Sequence, residues 1–142
     1  FKDEYGRHWA DNTRPYDGIP ELLDELASRK IKTAILSNKG DEATKHVVSK
    51  LLPRWQFDAV WGARPDMPLK PNPLPAIRIA RTIGIAPGNF IYLGDSGVDM
   101  KTANAAGMYA VGALWGFRTS EELLRDGAKI LIDHPLRLLE LL

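Results

Sequence analysis

The chain has 142 residues, 44% hydrophobic and 26% charged, with a net charge of +1 and no cysteine. Such a composition supports one globular domain with a core. It excludes disulfides, thiolate metal sites and cysteine nucleophiles, and it gives no strong pull toward nucleic acid or a membrane surface.

No apolar run approaches the roughly 20 residues of a membrane span. Phe1 opens no secretory leader pattern, so the cytoplasm is the expected compartment. The chain lacks an initiator Met, which fits a fragment of a longer protein.

Taken in order, Phe1 to Asn12 reads as the end of a helix, and residues 13–18 as a turn-rich connection. Pro20 suits a first helical turn. Ile19, Leu22, Leu23 and Leu26 then recur at helical spacing. Ile31 to Leu36 is expected to be a buried strand, followed by a polar turn at Ser37-Asn38-Lys39-Gly40. Asp41 can cap a helix that carries Thr44, Val47, Val48 and Leu51 on one face. Phe57 to Trp61 is a second strand. Gly62 to Pro75 is loop, with five prolines and Lys70.

Asn72-Pro73 begins a helix with Ala76, Ile77, Ala80 and Ile83 inward. Phe90 to Leu93 is a strand that Gly94 ends. Asp95-Ser96-Gly97-Val98-Asp99 forms an acidic turn, for which an N-cap role of Asp99 is the ordinary reading. The Ala-rich run from Lys101 to Ala106 is a helix closed by Gly107. Tyr109 to Ala113 is a strand. Thr119 caps a helix over residues 120–126, Ile130 to Ile132 is short and apolar, and Asp133 and Pro135 open a leucine-rich terminal helix. Strands alternating with helices imply an α/β fold, a mostly parallel sheet covered on both faces.

Three polar sites follow strands or precede a helix: Ser37-Asn38, Lys70, and Asp95 with Asp99. Each alone is an ordinary turn, loop lysine or cap. Together they supply a hydroxyl and N–H groups for phosphate oxygens, a cation for their charge, and two hard carboxylates suited to Mg²⁺. Phosphoryl transfer relies mainly on such positioning and charge stabilisation. His46 and His134 fall in helix or helix-start patterns and read as surface or capping residues.

The order Ser37-Asn38-Lys39, Lys70-Pro71-Asn72-Pro73 and Gly94-Asp95-Ser96-Gly97-Val98-Asp99 resembles three successive motifs of the haloacid-dehalogenase-like hydrolase superfamily. Residues 14–23, Gly107-Met108-Tyr109-Ala110-Val111 and Trp115-Gly116-Phe117-Arg118 resemble its phosphoglycolate phosphatase group. The resemblance implies a three-layer, Rossmann-like core and a Mg²⁺-dependent phosphatase acting through an aspartyl phosphate. It casts Ser37 and Asn38, the latter through its backbone, as phosphate-binding residues. Lys70 is both a phosphate-binding and a catalytic residue in this scheme. Asp95 is a metal ligand, and Asp99 is an outer metal contact or the group that orients Lys70.

One departure stands out. The family opens with a strand and an Asp-x-Asp turn that carries nucleophile and general acid/base, and no such strand is legible here. Asp3, Asp11 and Asp17 have the wrong context, and residues 1–14 resemble the end of a helical cap. Residues 15–142 would then be the C-terminal part of the core, lacking the strand that lies mid-sheet in the family. The strands near Ile31 and Phe90 would have open edges, to be filled by a separate chain, a disordered or cleaved segment or an element swapped from a second copy, or closed by direct pairing.

Two classes of function remain open: a phosphomonoester hydrolase acting on a small phosphorylated metabolite, and an inactive fragment or phosphate- and metal-binding protein of the same fold. A nucleotide module of another fold is disfavoured, since neither glycine-rich phosphate-loop pattern occurs. Phosphoglycolate is the family's default substrate. A sugar phosphate or a nucleotide stays open.

Overall fold

The computed structural model describes residues 15–142. The cap-remnant reading of residues 1–14 lies outside the described residues. Helix α1 spans Ile19–Ser28, strand β1 Ala34–Gly40, helix α2 Asp41–Leu51 and strand β2 Ala59–Ala63. Helix α3 spans Leu74–Ile83, strand β3 Ile91–Gly94, helix α4 Gly97–Ala106 and strand β4 Tyr109–Ala113. Helix α5 is Ser120–Arg125 and strand β5 Ile130–Ile132. Short 3₁₀ helices cover Pro87–Asn89 and Pro135–Leu141.

Every strand pair is parallel, but the strands form two ladders, β1–β2 and β3–β4–β5. Among the described residues no strand joins β1 to β3, so direct pairing does not close the two edges. Burial follows from this. Strand β4, flanked on both sides, is buried from Ala110 to Ala113, whereas β1 has no buried residue. A central parallel strand is ordinarily covered on both faces, and β1 is not.

The alternation of side chains along a strand builds the layers. Ala110 faces a cluster with Ala76 and Ala80 of α3, Met100, Ala103 and Ala106 of α4, and Leu123 of α5. Val111 faces the opposite cluster with Leu22 and Leu26 of α1, Ile132 and Leu138. In β3, Tyr92 packs on the first cluster while Ile91 and Leu93 pack on the second. Leu36 of β1 reaches the first cluster, so apolar contact ties the two ladders on that face. Trp55 Nε1 donates to Asp24 Oδ1 of α1 (2.9 Å), a tie on another side.

Local differences from the sequence reading have physical causes. Strand β1 starts three residues late and continues through Ser37 to Gly40, with a register shift between Leu36 and Gly40. The polar residues expected in a turn thus form a bulged strand end. Strand β2 is also displaced and runs to Ala63, because its register is set by pairing Ala34 with Ala59. Asp41 is the first residue of α2, not its cap. Its carboxylate accepts from Gly62 N–H (2.9 Å) and pairs with Lys45 (3.0 Å) and Arg64 (3.4 Å). The Gly62 hydrogen bond, followed by the one from Lys45, draws its pKa down to about 2. Ser96, not Asp99, caps α4. The leucine-rich C-terminus is 3₁₀ and is capped by His134 Nδ1, which accepts from Leu136 N–H (3.1 Å).

Candidate functional site

The acidic turn is built by a strand that must stop and a helix that folds back on it. At Gly94 a Cβ would come within 2.7 Å of Asp99 Cγ and Oδ2, so only glycine lets the turn close this tightly. Ser96 Oγ accepts from Asp99 N–H (3.2 Å) and donates to Asp99 Oδ2 (3.1 Å). Asp95 N–H also donates to Asp99 Oδ2 (3.2 Å). Asp99 is only 8% exposed. Burying a carboxylate is costly unless it is paired and hydrogen-bonded, and these donors supply the bonds.

Lys70 completes the set. Its Nζ lies 2.7 Å from Asp99 Oδ1, with both side chains nearly enclosed. Tyr92 Oη, 3.5 Å from the same oxygen, stands at the outer limit of a hydrogen bond. Burial, and then the Asp99 charge, push the Tyr92 phenol well above its usual range, so it stays a neutral donor.

The Lys70 main chain is held from the other ladder. Asn38 Nδ2 donates to Lys70 O (3.1 Å), and Lys70 N–H donates to Asn38 Oδ1 (2.9 Å). The side-chain amide thereby mimics a strand partner for a loop residue, and the Lys70–Pro71 peptide beyond it is cis. Ser37 Oγ accepts from Lys39 N–H (3.0 Å), which leaves its hydroxyl hydrogen available to an incoming acceptor.

Asp95 differs from Asp99. Burial, and then the negative charge of Asp99, raise its pKa, against the opposing charges of Lys70 and Arg118. A Cβ at Gly116 would lie 2.6 Å from Asp95 Oδ2, so the loop after β4 closes directly over this carboxylate. No group of three or more His, Cys, Asp or Glu side chains that could hold a metal occurs among the described residues. Mg²⁺ nevertheless needs only one or two carboxylates, since water and substrate phosphate fill the rest of its shell. Asp95 fits that demand, because a cation would relieve the repulsion it suffers.

The sequence-predicted residues Asn38, Lys70, Asp95 and Asp99 are thus linked by hydrogen bonds or charge. Ser37 precedes Asn38 within β1. Sequence reasoning assigned Asn38 a backbone role and missed its side-chain clamp. It also missed Tyr92, two residues before Gly94 and therefore on the same strand face, a signal that was legible. The contact of Gly116 with Asp95 had no signal in the sequence.

Residues 1–113 match the family described as haloacid dehalogenase-like hydrolase. A phosphoglycolate phosphatase of Aquifex aeolicus is 31% identical over 125 residues, covering 82% of this chain and 59% of its own length. An N-acetylmuramic acid 6-phosphate phosphatase of Pseudomonas aeruginosa is 27% identical over 143 residues, covering 100% of this chain and 63% of its own length. A crystal structure from Lactobacillus delbrueckii subsp. bulgaricus, of a protein provisionally called a phosphoglycolate phosphatase, superposes with a TM-score of 0.89 at 32% identity. It covers 99% of this chain and 59% of that one. The chain therefore spans about six-tenths of the length of these relatives.

Proposed function

The chain belongs to the haloacid dehalogenase-like hydrolases, and on that premise we propose that it is the phosphate- and Mg²⁺-binding part of a phosphomonoesterase core. The observation that carries this reading is the Lys70–Asp99 contact of 2.7 Å, fixed from behind by Asn38 and set beside a carboxylate that favours a nearby cation.

Each residue has a defined task in this scheme. Ser37 donates its hydroxyl hydrogen to a phosphate oxygen. Lys70 offsets the charge of the phosphate while Asp99 and Asn38 hold its two ends. Asp95 would hold Mg²⁺, with Asp99 as an outer contact. When bound, the ion would neutralise charge developing on the transferring phosphoryl group.

Nucleophile and proton carrier have no candidate among the described carboxylates at this site. Asp99 is engaged by Lys70 and Ser96, Asp41 by Gly62, Lys45 and Arg64, and Asp95 is reserved for the cation. We assign the attacking carboxylate and its acid/base partner to a segment outside the 142 residues, one that also pairs with the open edges of β1 and β3. The substrate class is a small phosphorylated metabolite, with phosphoglycolate as first choice on the named relatives and a sugar phosphate as second.

The test is steady-state hydrolysis by the full-length protein of 2-phosphoglycolate, a hexose 6-phosphate and a nucleoside monophosphate, with Mg²⁺ and with chelator. Mg²⁺-dependent release of phosphate from one of them supports the reading. No release from any of them contradicts it.

A further inference from the structure

Helix α5 touches the acidic turn through one side chain. Gly97 N–H, the first amide of α4, donates to Glu122 Oε2 at 2.7 Å. This is a short, charge-assisted bond to an amide that the helix itself leaves without a partner. The other oxygen, Glu122 Oε1, lies 3.4 Å from Arg118 Nη1. Arg118 is in turn one of the cationic charges acting on Asp95. A single carboxylate therefore grips both flanks of Asp95, the turn that carries it and the loop that closes over it.

The grip is rigidly mounted. Leu123, the next residue, is fully buried in the core cluster with Met100 and Ala103 of α4. Thr119 Oγ1 accepts from Glu122 N–H (3.1 Å) and fixes the start of α5. Gly97 leaves room for the contact: a Cβ there would run into Asp126 Oδ2 and come within 3.1 Å of Glu122 Oε2. At Gly97, helix α4 thus meets the Glu122 carboxylate through its backbone.

We propose that Glu122 is a positioning residue for the acidic turn, holding Gly97 N–H and Arg118 so that Asp95 and Asp99 keep the orientation needed for cation and phosphate. The proposal rests on the phosphatase reading for its purpose, although its geometry does not. Glu122 touches neither substrate nor metal in this scheme. It acts through the main chain at Gly97.

The experiment compares the full-length protein with its Glu122→Ala and Glu122→Gln variants, and with Glu121→Ala as an exposed neighbour control. Mg²⁺ affinity is read by calorimetric titration, and kcat and KM are read separately. Glu122→Ala is expected to weaken Mg²⁺ binding about 10-fold, the lower end of losses seen when an outer contact of a metal ligand is removed. It should lower kcat with little change in KM. Glu122→Gln keeps an oxygen that can accept from Gly97 N–H, and should recover most of the affinity. Glu121→Ala should match the wild type. Wild-type Mg²⁺ affinity in both Glu122 variants overturns the proposal. So does a Glu122→Gln variant as weak as Glu122→Ala, because the acceptor at Gly97 would then not be what matters. If Glu122→Ala fails to fold, Glu122→Met, which fills the same space but offers Gly97 N–H no oxygen, takes its place: weakened Mg²⁺ binding supports the proposal and wild-type affinity overturns it. A wild type that binds Mg²⁺ but hydrolyses no ester overturns the phosphatase reading alone.

Discussion

Asn38 offers the sharpest test of how the site is held. Its amide makes two hydrogen bonds to the Lys70 main chain, at 2.9 and 3.1 Å. A neutral hydrogen bond contributes about 0.5–1.5 kcal/mol net, so removing both costs about 1–3 kcal/mol. Both bonds are only partly buried, which lets water recover some of the loss. Asn38→Ala should therefore lower stability by about 1–2 kcal/mol in urea unfolding, with an unchanged denaturant slope.

Asn38→Asp separates geometry from size. It keeps the acceptor for Lys70 N–H but turns a donor into a carboxylate oxygen facing Lys70 O. It should cost at least as much as alanine despite its near-identical shape. Because Lys70 Nζ must stay on Asp99, a displaced main chain should also reduce kcat, by up to about 100-fold for a shift of the order of 1 Å. An Asn38→Asp protein as stable and as active as the wild type would refute the clamp.

Four further outcomes follow from the same geometry. Burial and the Asp99 charge raise the Asp95 pKa, so the metal-free fold loses stability as pH rises from the unfolded value of 3.8 through the raised folded value, and the penalty persists above it. Asp95→Asn should flatten that fall and raise stability at pH 7, while abolishing the gain in melting temperature that Mg²⁺ is expected to give the wild type. Gly116→Ala would force a methyl group to 2.6 Å from Asp95 Oδ2, and calorimetry should record weakened Mg²⁺ binding. Leu123→Ala, at a fully buried position, should cost about 2–5 kcal/mol in urea unfolding. The isolated 142-residue chain should release negligible phosphate from esters that the full-length protein hydrolyses, and comparable turnover by both would reveal a nucleophile within it.

The layered architecture was legible because apolar periodicity is local. The strand at Tyr109–Ala113 matches its expected bounds, being a short apolar run between turn residues, and the brief apolar run Ile130–Ile132 proves to be a strand. The ends of β1 and β2 were not legible, since the ladder between them is set by pairing across the sheet, and the bulge carries polar Ser37 and Asn38 into the strand. Lys70 and Asp99 were found by motif order, and their contact joins residues 29 apart in sequence. What the Asn38 side chain holds, and how Glu122 reaches Gly97, depend on how loops and helices cross in space. No sequence spacing encodes either contact.

On the proposed function, these residues hold and charge-balance a phosphoryl group that a carboxylate outside them attacks. The most direct test is to trap the phosphorylated intermediate of the full-length protein during turnover and map the labelled peptide by mass spectrometry. An acyl phosphate is expected on an aspartate outside the 142 residues, lost when Lys70 is replaced by Met. A phosphoryl group on Asp95, Asp99 or Ser37 would contradict it.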